Sequence, residues 1–397
     1  MLRTVFFSGI AACLAATLAA QDTSRTKHQR TIEFTGLILV NGFYNNGKVN
    51  NSDVPQLAEL DTNGVSGIGG TIRQTRLGVF LTDPDVLGGT LSGEIDADFF
   101  GGQQASTGGR TFPLLRLRRA VGTLQWTHFQ LLVGQESPLV AERSPRSFAS
   151  VGFPDFAGAG NLWLWLPQAR VTGEIGETLR LAVQGAVLAP NAGTAQGAFL
   201  TQPDSAERTS RPYLEGRVRL GWGPRDDPSE VAVGGHYGWL RGQDSTTGDT
   251  LIVSSAVTVD LRISLGMVEI LGEGFSGQAL AGLGGGGIGQ NTGVGGVPVR
   301  SKGGWGQVNL RPVTEWTVGG GCGLDDPDDA DVRPVYPGTA PTPGRFRNFV
   351  CEGHVHWRPG PVVVAFEFRR LSTRYDVAGV KQDFTVNHLD LAMGYRF

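Results

Sequence analysis

The sequence predicts an all-β protein, a transmembrane antiparallel β-barrel of about 16 strands with short turns at one rim and long loops at the other. Three observations support this fold class. Apolar and polar residues alternate with a period of two over most of the chain, whereas a helical period does not persist over any long window. The connections alternate between short and long, and the chain ends in an alternating segment, 388–397, whose last residue is Phe397.

Composition excludes several classes of protein. The 397 residues include 60 Gly, and 34 basic against 37 acidic side chains leave a formal charge of −3. A protein that binds nucleic acid through bulk charge needs a strongly basic domain, so no nucleic-acid partner is expected. A hydrophobic share of 40% with only 18% charged residues also argues against a disordered chain.

The N-terminus indicates export. A basic start with Arg3 precedes an apolar run over 5–20, which is too short for a membrane-spanning helix and is typical of a signal peptide. We therefore predict a signal peptide at 1–20, a short periplasmic segment at 21–29 and the barrel at 30–397. The sequence 10–13, ending in Cys13, resembles a lipoprotein box, but cleavage there would leave an apolar stub at 14–20.

The alternation of apolar and polar residues predicts the strands, and the lengths of the connections between them indicate the architecture. Short turns are predicted at 83–85, 223–227, 311–312 and 358–360, and long loops at 45–69, 137–159, 191–208, 279–297 and 325–344. Any one strand could belong to a soluble sandwich, but a sandwich has no reason to alternate its connection lengths. The predicted strands are 30–44, 70–82, 89–101, 111–124, 127–136, 160–174, 178–190, 209–223, 228–242, 249–263, 264–278, 298–311, 313–324, 345–358, 360–375 and 382–397.

Four segments carry a resemblance to a known family. TRLGV at 75–79, GEIDADFFG at 93–101, LRLRRA at 115–120 and LLVGQ at 131–135 resemble trimeric porins of the dicarboxylate-uptake (DcaP-like) type, to which phosphate-selective porins are related. The likeness covers about 70–136 and the strand layout, although Val121 stands where a Tyr is expected. It implies a homotrimer in the lipid of the bacterial outer membrane that passes small polar or anionic solutes without a cofactor. The C-terminal alternation through Tyr395 to Phe397 is similar to the signal recognised by the outer-membrane assembly machinery.

Charged residues on the polar face of the strands are candidates for the pore lining. Alternation directs Arg76, Arg116 and Arg118 inward, with Glu94, Asp96 and Asp98 on the strand between them. This stripe is either a salt-bridged wall that stiffens the barrel or a transverse field that orients anionic solutes, and the two interpretations are compatible. Arg170, Arg217, Arg219 and Arg369 add inward positive charge, which Glu174, Glu215 and Glu367 partly offset.

The loop at 137–159 is the candidate constriction. It contains Arg143 and Arg146 together with Phe148, Phe153 and Phe156. Three phenylalanines are costly in water, so we expect the loop to fold inward and narrow the pore; an outward lid is the alternative. The charges near the constriction predict a weak preference for anions.

Other motifs predict little chemistry. Cys322 and Cys351 are predicted to form a disulfide if the register brings their strands together. The glycines at 282–287 indicate a flexible extracellular loop rather than a nucleotide site, and the acidic run at 325–331 is either solvated or a cation site. Glu352, His354 and His356 are expected to line the lumen rather than to bind metal. No nucleophile motif is present, so the sequence gives no positive evidence for a hydrolase. A phosphate-specific channel is one alternative to a diffusion porin, and an outer-membrane hydrolase or adhesin is the alternative of another class.

Overall fold

The computed structural model describes residues 30–60, 64–102, 111–193, 202–244, 248–332 and 344–397. The predicted signal peptide and periplasmic segment, and with them Cys13, lie outside these ranges. Within them, no helix combines the length and the apolar character needed to cross a membrane.

Seventeen strand segments form one closed antiparallel sheet. From β3 onward each pairs with the next in chain order, β2 and β3 both pair with β1, and the last pairs with the first. The segments are β1 (Thr31–Asn45), β2 (Gly67–Thr71), β3 (Arg76–Val86), β4 (Gly89–Asp98), β5 (Arg116–Gln125), β6 (Phe129–Glu136), β7 (Leu166–Ile175), β8 (Leu179–Leu188), β9 (Tyr213–Trp222), β10 (Ser229–Asp244), β11 (Gly248–Leu265), β12 (Val268–Gln278), β13 (Arg300–Val313), β14 (Trp316–Pro327), β15 (Arg345–Trp357), β16 (Val362–Val377) and β17 (Val380–Arg396).

These segments make a barrel of 16 strands because β2 and β3 are two pieces of one strand. Both pair with β1, which has Leu37 opposite Arg76 of β3 and Asn41 opposite Thr71 of β2. The fold class and strand number predicted from the sequence are therefore confirmed. On its other edge β1 pairs with β17, and Gly36 exchanges two backbone hydrogen bonds with Phe397, of 3.0 and 3.2 Å.

The connections alternate as predicted over most of the chain, but only three residues separate β10 from β11 and two separate β16 from β17. The predicted turn at 311–312 lies within β13, because the strand continues through a register shift between Leu310 and Val313, and the turn is at 314–315. Two other boundaries also differ. The β3–β4 turn is Leu87–Gly88 rather than 83–85, because the register shifts between Asp83 and Val86 and the strand continues through this irregularity. β7 begins at Leu166 rather than at residue 160, because residues 160–165 remain packed inside the barrel with the preceding loop.

The two faces of the wall have opposite character. Outward residues such as Val233, Val257 and Leu391 are about half exposed, as expected for side chains that contact lipid. Trp316 and Trp357 stack on this outer face beside the short turns, with ring centroids 5.9 Å apart. Trp163 and Trp165, by contrast, lie inside the barrel.

The hydrophobic core lies between the inner wall and the loops that enter the lumen, among them the segments 49–58, 137–165 and 279–299. The largest cluster joins Leu139 and Leu162 of the 137–165 loop to Leu240 on β10 and to Leu280 and Leu283 of the 279–299 loop. The barrel is therefore a wall lined by polar side chains that encloses folded loops, and these loops decide how much of the lumen stays open.

Candidate functional site in the barrel lumen

The loop at 137–165 crosses the lumen and binds the wall on the far side. The Leu139 amide donates to Glu215 on β9 at 2.7 Å, and Arg143 pairs with Asp260 on β11 at 2.8 Å and also with Glu230. Arg146 binds Glu269 on β12 through two hydrogen bonds of 3.0 and 3.1 Å. Acidic residues of the wall therefore neutralise the two arginines of the loop.

The return half of the loop is held by a carboxylate and an amide. Glu367 on β16 accepts hydrogen bonds from the Ser147 hydroxyl at 2.8 Å and from the amides of Phe148 and Ala149 at 3.0 Å. Gln74 lies in the gap between β2 and β3, and it both accepts from the Val151 amide and donates to the Ala149 carbonyl, each at 2.7 Å.

The three phenylalanines of the loop pack against aromatic rings inside the barrel. The Phe148 ring packs edge-on against the His356 ring, with centroids 4.8 Å apart, and the Phe156 ring stacks on the Trp305 ring, with centroids 5.9 Å apart. Phe153 packs edge-on against Phe100 at 5.3 Å and against Trp163 at 4.8 Å. These contacts keep the rings out of bulk water and fix the path of the loop.

A cavity remains between this loop and the wall formed by β3 to β7. Its volume is about 480 Å³, and it is lined by two tryptophans, two glutamates and five arginines. A second cavity of about 480 Å³ shares Glu142 and Arg170 with the first and extends to the short turn at 126–128. Together the two spaces trace a route along one side of the lumen. The charged side chains on this route are Arg76, Arg118, Arg119, Glu136, Glu142, Arg143, Arg170, Glu174, Arg219 and Arg225.

The stripe on β3, β4 and β5 is a row of ion pairs along the wall. Arg76 binds Asp96 and Arg116 binds Asp98, each with a shortest contact of 2.6 Å. Glu94 pairs with Arg119 at 2.8 Å. The predicted positive–negative–positive order is thus present as paired charges.

Arg118 differs from its neighbours in the stripe. Its Nε lies 3.6 Å from both Asp96 and Asp98, too far for a hydrogen bond, and its guanidinium carbon lies 4.8 Å from the Trp165 ring. Within the described protein, Nε and Nη1 have no hydrogen-bond partner. Arg118 therefore borders the first cavity without a short ion pair, and these two nitrogens are buried rather than open to the cavity.

Arg119 is a site residue that strict alternation misses. Asp96 lies opposite Arg119 while Ala97 lies opposite Leu117, so Arg118 is the extra residue of a β-bulge. Both arginines consequently point inward, and Arg119 pairs with Glu94 and Glu136. The only signal in the sequence is the Arg118–Arg119 pair itself, since a charge on the outward face would contact lipid.

The other predicted arginines take different positions. Arg170 and Arg219 lie on the route, paired with Glu142 at 2.6 Å and Glu174 at 2.8 Å. Arg217 and Arg369 line neither cavity and are almost fully buried. Arg217 binds Glu142 and Asp260, and Arg369 binds Asp155 of the loop. Arg116 also lines neither cavity and is packed among Phe100, Phe153 and Trp165.

Two loop segments at the extracellular rim are more ordered than the sequence suggests. The expected flexible glycine loop donates the amides of Gly286, Gly287 and Ile288 to the carboxylate of Asp325, at 2.9–3.1 Å. Asp331 accepts from the Arg300 guanidinium at 2.8 and 3.0 Å, and this interaction lowers the pKa of Asp331 below its ordinary value. The acidic run is thus bound by the protein itself.

The remaining candidates lie on β14 and β15. Cys322 and Cys351 stand opposite each other, are joined by a disulfide and face outward. His354 binds Glu352, and His356 binds Glu367, each at 3.0 Å. Within the described residues no group of three or more His, Cys, Asp and Glu has a metal-binding arrangement.

Comparison with solved structures identifies the fold. The outer-membrane channel DcaP of Acinetobacter baumannii is similar over 94% of this chain and 99% of its own, with a TM-score of 0.67 and 15% identity. An anion-selective porin of Comamonas acidovorans covers 93% of this chain and 100% of its own, with a TM-score of 0.59 and 12% identity. The trimer form of OmpT, an outer-membrane protein of Vibrio cholerae, covers 93% and 99%, with a TM-score of 0.54 and 10% identity.

In sequence, no protein-family model and no curated protein matches the chain. At these identities the structural likeness concerns the fold, and it agrees with the closed barrel, the apolar outer face and the inward loop described above. The chain therefore has a porin fold, a closed transmembrane barrel similar to that of the outer-membrane channel DcaP.

Proposed function

We propose that this protein is a diffusion channel for small hydrophilic, anionic solutes of the dicarboxylate kind. The observation that carries the proposal is the first cavity, where five arginines and two glutamates surround the open space beside the loop. Charges within about 8–10 Å of a permeating ion affect it most. Arginines line the cavity itself, whereas their partners Glu94, Asp96, Glu230 and Asp260 lie behind them and do not line it. A solute in the cavity therefore meets the guanidinium groups first.

The arrangement suits a solute with two carboxylates. A guanidinium binds a carboxylate through two parallel hydrogen bonds and stays protonated at any physiological pH. Arg118 borders the first cavity without a short ion pair, and Arg219 and Arg225 border the second. Because most arginines on the route are already paired, each binding step is weak, which favours passage over retention.

We propose a homotrimer as the assembly, as the resemblance to trimeric porins implies. The trimer form of OmpT, which shares the fold, supports this. A phosphate-specific channel is less well supported, because Glu136, Glu142 and Glu174 border the route and repel an anion with concentrated charge.

The test is the permeability of the purified, full-length protein in planar bilayers and liposomes. We expect a reversal potential that indicates weak anion preference at low salt, and swelling with succinate that exceeds swelling with its diamide or with a diamine of equal length. Phosphate should permeate more slowly than succinate. A channel that prefers cations at low salt, or one that admits phosphate ahead of succinate, would contradict the proposal.

A further inference from the structure

Five arginines gather inside the barrel at its periplasmic rim, on the wall opposite the route along β3 to β9. We call them the periplasmic arginine cluster, and they are Arg146 of the inward loop and, at the ends of β11, β13, β15 and β17, Arg262, Arg311, Arg358 and Arg396. These strand ends lead into the short turns, which places them at the periplasmic side. The loop reaches the same level because Arg146 binds Glu269, the second residue of β12.

The strand order brings three of the wall arginines to one level of the lumen. Arg311, Arg358 and Arg396 lie at the ends of alternate strands, so neighbours in this row are two strands, or about 10 Å, apart. Arg396 shares the inward parity of the buried Ala392, and the guanidinium carbon of Arg358 lies 5.2 Å from the centroid of the Phe148 ring. A small ligand at this level can therefore contact several guanidinium groups at once.

The acidic residues beside the cluster compensate only part of its charge. Glu269 pairs with Arg146 and with Arg262, each at 3.0 Å. Arg311 lies 3.6 Å from the same carboxylate, so one acid is shared among three guanidinium groups. Asp227 is a second partner of Arg262 alone.

Arg358 and Arg396 add charge that no acid compensates. Their backbone amides donate to the carbonyls of Glu315 and Pro361, but in the part of the chain that the structure describes their side chains form no ion pair. The Glu315 side chain in the adjacent turn is exposed. Burial and three other arginines of the cluster lower the pKa of Arg358 below its ordinary value, as expected where like charges gather.

We propose that the periplasmic arginine cluster is a binding site for a small polyvalent oxyanion, such as a tricarboxylate or pyrophosphate. Guanidinium groups bind carboxylate and phosphate oxygens through paired hydrogen bonds and stay charged. An anion with two or more charges supplies what the cluster lacks, whereas a monovalent anion compensates it only in part. The site is open to water, since the side chains of Arg146 and Arg311 are 54% and 35% exposed and Arg396 is exposed at the rim.

The bound anion holds the inward loop against the wall. Arg146 belongs to the loop, whereas the other four arginines belong to the wall, so an anion that bridges them ties the segment 146–149 in place. The anion concentration on the periplasmic side then regulates how firmly the loop is held. This consequence for the pore rests on the proposed function, in which the loop constricts the channel, but binding to the cluster does not.

Calorimetry of the purified, full-length protein in detergent measures the binding of citrate and of pyrophosphate, with acetate at equal ionic strength as the monovalent comparison. Citrate and pyrophosphate should bind at least about tenfold more tightly than acetate. Replacing Arg358 and Arg396 together with Gln should weaken the binding of both polyvalent anions at least about tenfold. Neither arginine pairs with an acid, so the double variant should fold, and heat-modified migration on gels checks this.

Arg30→Gln is the matched control. Arg30 lies at the same periplasmic rim, but outside the cluster, and is already paired with Asp83 at 2.7 Å. Its replacement should leave the affinity for citrate unchanged. Weak binding of citrate in the first cavity is the same in all three proteins and does not affect the comparison.

Hydrogen exchange tests the effect of the anion on the loop. Saturating citrate should slow the exchange of the amides at 146–149 about threefold or more in the wild type, because the bound anion opposes local opening of this segment. Acetate at equal ionic strength should not slow it. In the variant with Gln at 358 and 396, citrate should have no effect on these amides.

Four results would overturn the inference. They are wild-type affinity for citrate in the double variant, equal losses of affinity in the double variant and Arg30→Gln, binding of acetate as tight as that of citrate, and unchanged exchange at 146–149 in saturating citrate. A channel that prefers cations, but still binds citrate through Arg358 and Arg396, would support this site and contradict only the proposed function.

Discussion

Arg116 and Arg118 are two residues apart on one strand and one face, but their surroundings give them different roles. Arg116 donates to Asp98 at 2.6 and 3.0 Å and to the Gly152 carbonyl of the loop at 2.5 Å. Its charge is compensated and its position is fixed. Arg118 is held by acids only at 3.6 Å and lines the first cavity, which Arg116 does not.

We therefore expect Arg118→Gln to reduce anion preference more than Arg116→Gln does. At about 0.1 M salt, where screening extends over roughly 10 Å, the anion-to-cation permeability ratio should fall about two- to threefold in Arg118→Gln. The reversal potential in a salt gradient measures this ratio. Arg116→Gln should instead increase current noise, because it removes a bond that holds the loop. Equal shifts of the reversal potential in both variants would show that the ion pairs on β3, β4 and β5 affect permeating ions as a group rather than through Arg118.

At the scale of elements, the inward loop is the part of the barrel whose position most directly sets the pore size. Its return half depends on Glu367, which also accepts from His356 at 3.0 Å. Loss of this carboxylate leaves several buried donors without an acceptor, and such a loss is costly.

Glu367→Ala should release the loop and enlarge the pore. Hydrogen bonds to a buried charge contribute about 1.5–3 kcal/mol, so unfolding in denaturant should become easier by about 3 kcal/mol. Single-channel conductance should rise by roughly half or more as the constriction opens. Glu59→Gln serves as the control, because Glu59 forms only a surface pair with Lys48 at 3.7 Å. Unchanged conductance in Glu367→Ala would mean that the loop is held by its other contacts.

The ion pair between Arg300 and Asp331 at the extracellular rim should break in acid. Because hydrogen bonds from Arg300 lower the pKa of Asp331 in the folded protein, their contribution is complete above the unfolded pKa of about 3.9 and is lost as the pH falls through the lower, folded value. The amides of the segment 293–300 should therefore be protected from hydrogen exchange, relative to their intrinsic exchange rates, at pH 5–7 and should lose this protection below about pH 4.

Asp331→Asn should show fast exchange of this segment already at pH 7. Asp329→Asn, which alters the surface pair with Lys381, is the matched control and should behave as the wild type. If the amides of this segment exchange as slowly in Asp331→Asn as in the wild type, the ion pair between Arg300 and Asp331 does not hold the segment in place.

At the scale of the whole molecule, stability depends on closure between the first and last strands. Phe397 is half exposed on the outer face, and its ring lies against Gly36, where an added Cβ would come within 2.4 Å of it. The backbone bonds between these two residues complete the sheet at the periplasmic rim, where an open edge would face the membrane.

Deletion of Phe397 should impair assembly of the barrel. We expect the fraction that migrates as the compact, heat-modifiable form to fall to less than about half, since closure loses its last backbone pair. Phe397→Tyr keeps an aromatic terminus and should assemble normally. If the truncated protein inserts as well as the intact one, the last residue is not part of the assembly signal.

Much of this architecture could be predicted from sequence, because lipid outside and water inside impose a strict two-residue period. The strand number follows from that period, and the lengths of the connections indicate the barrel. The period fails where the backbone departs from a regular ladder. It does not foresee that Arg119 turns inward at a bulge, nor that the break between β2 and β3 places Gln74 against the loop. Nor does glycine content distinguish a mobile loop from one whose amides bind a carboxylate such as Asp325.

The bulge at Arg118 has a consequence for how such a channel can change during evolution. Leu117 and Ala120 face outward on either side of the two inward arginines, so deleting Arg118 would restore simple alternation and leave every lipid-facing residue of β5 in place. A one-codon insertion or deletion at this position therefore adds or removes a pore charge without altering the membrane surface. Elsewhere in a regular strand, the same event would exchange the two faces of every residue on one side of it. At this position the ion selectivity of the pore can therefore change through insertion or deletion of a residue in β5 as well as through substitution.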